Sequence, residues 1–298
     1  MTGRFLAACG VLACAAALAP AAASAAPTTR YYLALGDSLS QGAQPNANGV
    51  ARNTSLGYAN DLFAFEHPHV PGLKLADLGC YGETTGSMIS GNGNPHAVAF
   101  HCDRKGGSQL KAAELFLKAH HKAGEVPLVT IDIGANDVDN CLDVPLSQLG
   151  SCVSTGEASI KHDLPIILSA VGKAAPKGTT FAAMTVYDPA LPDYFSASSS
   201  ARSVATASVA LSEQVNDEFT SIDSSEHFKT ADVAGAFDTY DTTDMVSFDD
   251  QTIPVNVARV CAWTWGCTTP PSGPNIHPND NGYSVIAGAL EKVVGKLH

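Results

Sequence analysis

Positive charge is scarce in this 298-residue chain: 17 Lys and Arg stand against 29 Asp and Glu, a formal net charge of −12 with histidine neutral. Phosphate binding needs a basic face, and no run of basic residues stands out, so a nucleic-acid partner is excluded. Charged residues of both signs make up only 15% of the chain and hydrophobic residues 45%. That balance excludes extended disorder and leaves enough apolar surface for a sizeable core. Beyond the N-terminus no apolar stretch approaches the roughly 20 residues that span a bilayer. There is no CxxC pair and no histidine at ligand spacing from a cysteine, which argues against a zinc site. His67 and His69, and the adjacent His120 and His121, read as solvated side chains. No internal repeat and no linker divides the sequence.

What is present begins with an export signal. Arg4 gives a positive start, residues 5–18 an apolar stretch ended by Pro20, and Ala23-Ser24-Ala25 a small-residue cleavage site. Residues 1–25 are therefore expected to be a signal peptide, with residues 26–298 forming one secreted, extracellular domain that begins at Ala26. A membrane anchor is the alternative, but the apolar stretch is short for it. Cys9 and Cys14 faintly resemble a lipoprotein cleavage site, leaving a lipid-anchored form as a second alternative. Six cysteines remain in the mature chain, and an even count in an exported protein implies disulfides, with 15 possible connectivities. Sequence-local pairing is the simplest: Cys80 with Cys102, Cys141 with Cys152, Cys261 with Cys267.

Short apolar runs at 31–35, 73–78, 128–133, 180–186 and 228–233 read as buried strands. Helical periodicity separates them. Ile160, Leu164, Ile167, Leu168 and Val171 share one helix face, Val204, Ala207, Leu211, Val215 and Phe219 another. Tyr283, Ile286, Ala287, Leu290, Val293, Val294 and Leu297 form a third stripe. Apolar strands alternating with helices imply a mostly parallel sheet covered on both faces, an α/β/α sandwich. In such a sheet ligands bind beyond the carboxyl ends of the strands.

The loops at those ends carry the chemistry. Gly36-Asp37-Ser38-Leu39 places a serine hydroxyl where the first strand turns. In Gly79-Cys80-Tyr81-Gly82, Gly82 can bring a bare backbone N–H close to a ligand. Gly134-Ala135-Asn136-Asp137 offers a side-chain amide, and His277-Pro278 precedes the final helix. Acyl transfer needs a nucleophile, a base and donors aimed at an oxyanion. Ser38, His277, Gly82 and Asn136 supply these in order. Each taken alone has an ordinary reading as a turn, a helix cap or a core residue.

At these four blocks the chain resembles the SGNH (GDSL) hydrolase family, from about Tyr31 to the C-terminus. With its signal peptide, Gly82-Glu83-Thr84-Thr85 and six cysteines, it looks most like secreted actinobacterial lipases and esterases. The resemblance implies a flavodoxin-like three-layer sandwich on a five-stranded parallel sheet. It implies Ser38 as nucleophile and His277 as general base, with the Ser38 and Gly82 N–H groups and the Asn136 side chain as oxyanion hole. No metal or cofactor is implied. A small-molecule or lipid ester is the expected substrate, and a monomer the expected state.

One position departs from the family pattern, which places an aspartate three residues before the histidine. Pro274 stands there, followed by Asn275. A main-chain carbonyl near Pro274 is therefore expected to orient His277, making a Ser38–His277 dyad. Asp249, Asp250 and Asp280 are the alternatives. The aromatics within 187–195 and 261–267 are candidates for contact with an acyl chain, although Trp263 and Trp265 can equally pack on a disulfide and the core. Two other functional readings are an esterase acting on acylated carbohydrate and a secreted binding module without turnover.

Overall fold

The computed structural model describes residues 1, 2 and 28–297. The expected signal peptide, apart from its first two residues, lies outside the described residues. Five parallel strands form the central sheet: β1 (Arg30–Gly36), β2 (Leu73–Asp77), β3 (Leu128–Asp132), β4 (Thr180–Met184) and β5 (Lys229–Ala231), in the order β2-β1-β3-β4-β5. The register pairs Leu33 of β1 with Ala76 on one side and Val129 on the other. This is the flavodoxin-like order, in which the chain reverses direction across the sheet beside β1.

Nine helices are described: α1 (Tyr58–Glu66), α2 (Thr85–Ser90), α3 (Gln109–Ala119), α4 (Ala135–Asp139), α5 (Leu146–Ala174), α6 (Ser199–Ser225), α7 (Val233–Ala236), α8 (Val255–Trp263) and α9 (Asp280–Val294). Successive strand side chains point to opposite faces, and the core divides accordingly. Tyr32 and Ala34 pack with Tyr58, Leu62, Ile286 and Leu290 from α1 and α9. Leu33, Leu35, Val129 and Ile131 pack with Leu117, Ile160, Ile167 and Phe219 from α3, α5 and α6. Truncating one of these fully buried aliphatic side chains to alanine costs about 2–5 kcal/mol.

The five strands lie where the apolar runs place them. The structure adds two short hairpins, 44–52 and 245–254, and helix α8, whose patterns are too short to carry a period. The helix around Ile160 starts earlier than its apolar face suggests, at Leu146, and contains Pro165. Helix α9 ends at Val294 because Gly295 takes a positive φ of 70°, so Leu297 is buried beyond the helix rather than on its stripe. No helix among the described residues is long and apolar enough to cross a membrane.

Candidate active site

The site stands at the carboxyl ends of β1 and β3 and the loop that follows β2. Strand β1 ends in Gly36 with φ 131°, where a Cβ would lie 2.2 Å from the Asp132 carbonyl oxygen. Only glycine allows the chain to turn against β3 there. Gln109 clamps the turn from both sides: its Oε1 accepts from Gly36 N–H and its Nε2 donates to Gly36 O, each at 2.8 Å. Asp132 then accepts from the N–H groups of Asp37 and Ser40 at 3.2 Å, and from the Tyr58 hydroxyl. Asp37 in turn accepts from Leu39 N–H at 2.9 Å. Burial pushes Asp37 up to about 6, and burial together with neighbouring Asp37 raises Asp132 well above the carboxylate range. Ser38 is thus presented from a buried, heavily hydrogen-bonded turn.

His277 reaches it from the far end of the chain. Its Nε2 lies 2.9 Å from Ser38 Oγ, across 239 residues of sequence. Its Nδ1 lies 2.8 Å from Asn275 Oδ1, and that same oxygen accepts the His277 backbone N–H at 3.0 Å. The backbone can only donate, so it fixes which end of the Asn275 amide faces the ring. An oxygen facing Nδ1 requires the proton to sit on Nδ1, which leaves the Nε2 lone pair for the serine hydroxyl. The sequence points to a main-chain carbonyl near Pro274; the carbonyl that bonds to Nδ1 belongs instead to the side chain of Asn275. Among the described residues no carboxylate hydrogen-bonds to the imidazole. Asp249 and Asp250 sit in the 248–251 turn with positive φ, and Asp280 accepts from Gln44 Nε2 at 2.8 Å. Burial without a compensating acid pushes His277 down to about 4.

The loop carrying His277 is held by neighbours that the motifs do not reveal. Trp265 N–H donates to His277 O and Asn275 N–H to Trp265 O, both at 3.0 Å. The Tyr187 hydroxyl donates to Ile276 O at 2.6 Å. Tyr81 stacks on the imidazole at 5.2 Å between centroids and on Phe100 at 4.1 Å. Trp263 packs on Phe237 and under Arg259, and Trp265 Nε1 donates to Gln44 Oε1. These tryptophans brace the loop rather than line the site pocket. Tyr194 and Phe195 are partly exposed.

Gly82 has φ 70°, and a Cβ there would meet the His96 ring at 2.8 Å. Its N–H and that of Ser38 donate to no acceptor among the described residues, and both residues line the pocket over the Ser38 hydroxyl. Asn136 lines the pocket too, but its amide nitrogen already donates to Asp37 Oδ2 at 2.9 Å and to Glu83 O at 3.0 Å. Both its hydrogens are therefore engaged in the resting site. Behind this loop the Glu83 carboxylate, fully buried, pairs with Arg104 at 3.1 Å and accepts from Ser87 Oγ at 2.6 Å. The Cys80–Cys102 bond ties the loop to the segment that carries Arg104. Cys141–Cys152 and Cys261–Cys267 join the other two local pairs.

A serine, a histidine in the reactive tautomer and two free N–H donors around one pocket are the parts of an acyl-transfer site. The sequence matches the GDSL-like lipase/acylhydrolase family over residues 34–285. The chain belongs to that family. It is accordingly a carboxylic ester hydrolase. No curated protein matches it in sequence. Among solved structures it is similar to an extracellular lipase from Streptomyces rimosus, with a TM-score of 0.54 and 19% identity over 89% of this chain and 100% of that one. It is also similar to phospholipase A1 from Streptomyces albidoflavus, with a TM-score of 0.51 and 16% identity over 89% and 100% of the two chains. At these identities the likeness concerns the fold, the α/β/α sandwich of the SGNH hydrolases.

Proposed function

We propose that this ester hydrolase is exported and works through an acyl-enzyme on Ser38 with His277 as the base. The observation that carries the reading is the unbroken hydrogen-bond chain Asn275 Oδ1, His277 Nδ1, His277 Nε2, Ser38 Oγ. As Ser38 Oγ bonds to the ester carbonyl carbon, its proton passes to Nε2 and the carbonyl oxygen takes up negative charge. The free N–H groups of Ser38 and Gly82 receive that oxyanion. Asn136 adds a third donor when one of its resting bonds opens or bifurcates. When the carbon–oxygen bond to the alcohol breaks, the imidazolium returns the proton to the leaving oxygen. Water then repeats the sequence, giving its proton to Nε2, and the acid leaves with Ser38 restored. One oxyanion donor is worth ~100 to 1000-fold in rate.

Labelling with an organophosphate tests the reading. A single adduct on Ser38, lost in Ser38→Ala together with hydrolysis of p-nitrophenyl acetate, is expected. Activity of Ser38→Ala within tenfold of the parent refutes it. Export is supported by three disulfides, which persist in oxidising compartments. Mass spectrometry of the secreted protein should find its N-terminus at Ala26.

A further inference from the structure

A second pocket opens beside the first and shares Asp139, Val186, Tyr187 and Pro189 with it. Its walls are mainly aliphatic: Val138 in α4 and Leu142 in the turn that follows it, Leu149 and Val153 in the first turns of α5, Leu211 and Val215 on α6. The Cys141–Cys152 bond fastens the α4 side to α5, so this wall is covalently pinned and the pocket is formed in advance of any ligand. The polar groups inside are mostly satisfied. Asp188 accepts from Ser208 Oγ at 2.7 Å and from Ala190 N–H at 2.9 Å. The Asp139 carboxyl, at the junction of the two pockets, has no hydrogen-bond partner among the described residues.

The two sides of Ser38 are chemically unequal. The leaving alcohol has to remain within reach of His277 Nε2, which protonates it. The second pocket includes none of His277, Ile276 or Tyr81, and of the groups that hold the His277 loop it shares only Tyr187, whose hydroxyl donates to Ile276 O. An aliphatic cavity that joins the Ser38 pocket at Asp139, Val186, Tyr187 and Pro189 and leaves out His277 suits the hydrocarbon chain on the carbonyl rather than the alcohol, and is wasted on an acetyl group.

We infer that this pocket takes the acyl chain of the substrate, selecting straight medium-length acyl esters over acetyl esters, with Asp139 as the specificity-determining group at its neck. The inference rests on the acyl-enzyme reading above. Burial, then Asp37, Asp188 and Asp137, push Asp139 up to about 8, which favours the uncharged acid at the neck at neutral pH. The ionisable groups facing it are those three acids and Tyr187. His277 borders the first pocket, and α5 and α6 contribute no ionisable side chain to the second. Above that pH a carboxylate stands against any chain that passes.

The test is kcat/KM for p-nitrophenyl esters from acetyl to dodecanoyl, expressed as the ratio of each to acetyl. The ratio cancels differences in active fraction and the titration of groups common to all substrates. The parent should gain roughly fourfold per methylene while the chain lengthens within the pocket. Leu211→Trp and Ser212→Phe, which place a ring inside the pocket from α6, should each lower the octanoyl-to-acetyl ratio at least tenfold. The ratio should also fall as pH rises through about 8 in the parent and stay level in Asp139→Asn. A second series, ethyl to octyl acetate, varies only the alcohol and should be insensitive to Leu211→Trp and Ser212→Phe. A parent ratio that does not rise with acyl length overturns the proposal, as do ratios unmoved by both ring variants or effects that follow the alcohol series. In each of those cases hydrolysis of the acetyl ester leaves the Ser38 reading standing. Hydrolysis of no ester at all overturns that reading and this one together.

Discussion

Replacing Asn275 tests whether an amide does the work usually given to a carboxylate. In Asn275→Ala the Nδ1–H of His277 loses the acceptor at 2.8 Å, and the His277 backbone N–H loses the same oxygen. An unpaired buried donor costs about 1–3 kcal/mol. Charged to the reactive orientation of the ring, that is ~5 to 150-fold in kcat. The loop itself should survive, because Asn275 N–H still donates to Trp265 O and Trp265 N–H to His277 O. Asn275→Asp is the more informative change. It keeps an acceptor for both N–H groups but sets a negative charge beside an imidazole that burial now pushes down to about 4. A neighbouring carboxylate favours the protonated ring and should raise its pKa by about 1–3 units. His277 must be neutral to accept the serine proton, so activity is lost as pH falls through its pKa. The acid limb of kcat/KM should therefore start near pH 4 in the parent and move upward in Asn275→Asp. Asp37, pushed up to about 6, titrates in both proteins, so the displacement between the two profiles isolates the histidine. Asn275→Ala within twofold of the parent, or an Asn275→Asp limb that does not move, would refute the assignment of Asn275 as the positioning residue.

Other outcomes follow from the same geometry. Asp249→Ala and Asp250→Ala should each keep activity within about threefold, measured on p-nitrophenyl acetate, since neither carboxylate bonds to the imidazole. Arg104→Ala leaves the Glu83 carboxylate buried without its ion pair and should cost about 3 kcal/mol in chemical denaturation. It should also lower kcat, because the Glu83 carbonyl holds Asn136. Peptide mapping without reductant should recover Cys80–Cys102, Cys141–Cys152 and Cys261–Cys267. Replacing Cys80 and Cys102 together by alanine should lower stability by about 3 kcal/mol in the chain-entropy account for a loop of this length.

The order of residues along the chain was sufficient for everything that depends on period and adjacency. Apolar runs marked the five sheet strands, and helical spacing marked the buried faces of α5, α6 and α9. Serine, glycine, asparagine and histidine at strand ends and a helix start marked the candidate site. These signals are local, because strand and helix geometry repeats every two or 3.6 residues and glycine alone turns a chain closely.

Asn275 was visible as a residue but not as a partner. Only a loop folded so that its Oδ1 meets both the His277 backbone N–H and Nδ1 turns an amide into an acceptor of defined orientation. Gln109 clamping Gly36, Tyr58 and Asp132 beneath the Ser38 turn, Tyr81 against the imidazole and the engaged amide of Asn136 all join segments tens of residues apart. The aliphatic pocket behind Asp139 is assembled from four separate stretches of chain, none of which shows a cavity by itself. Tertiary structure decided these features because hydrogen bonding and burial depend on distance in space, and packing brings together side chains whose separation along the sequence carries no signal.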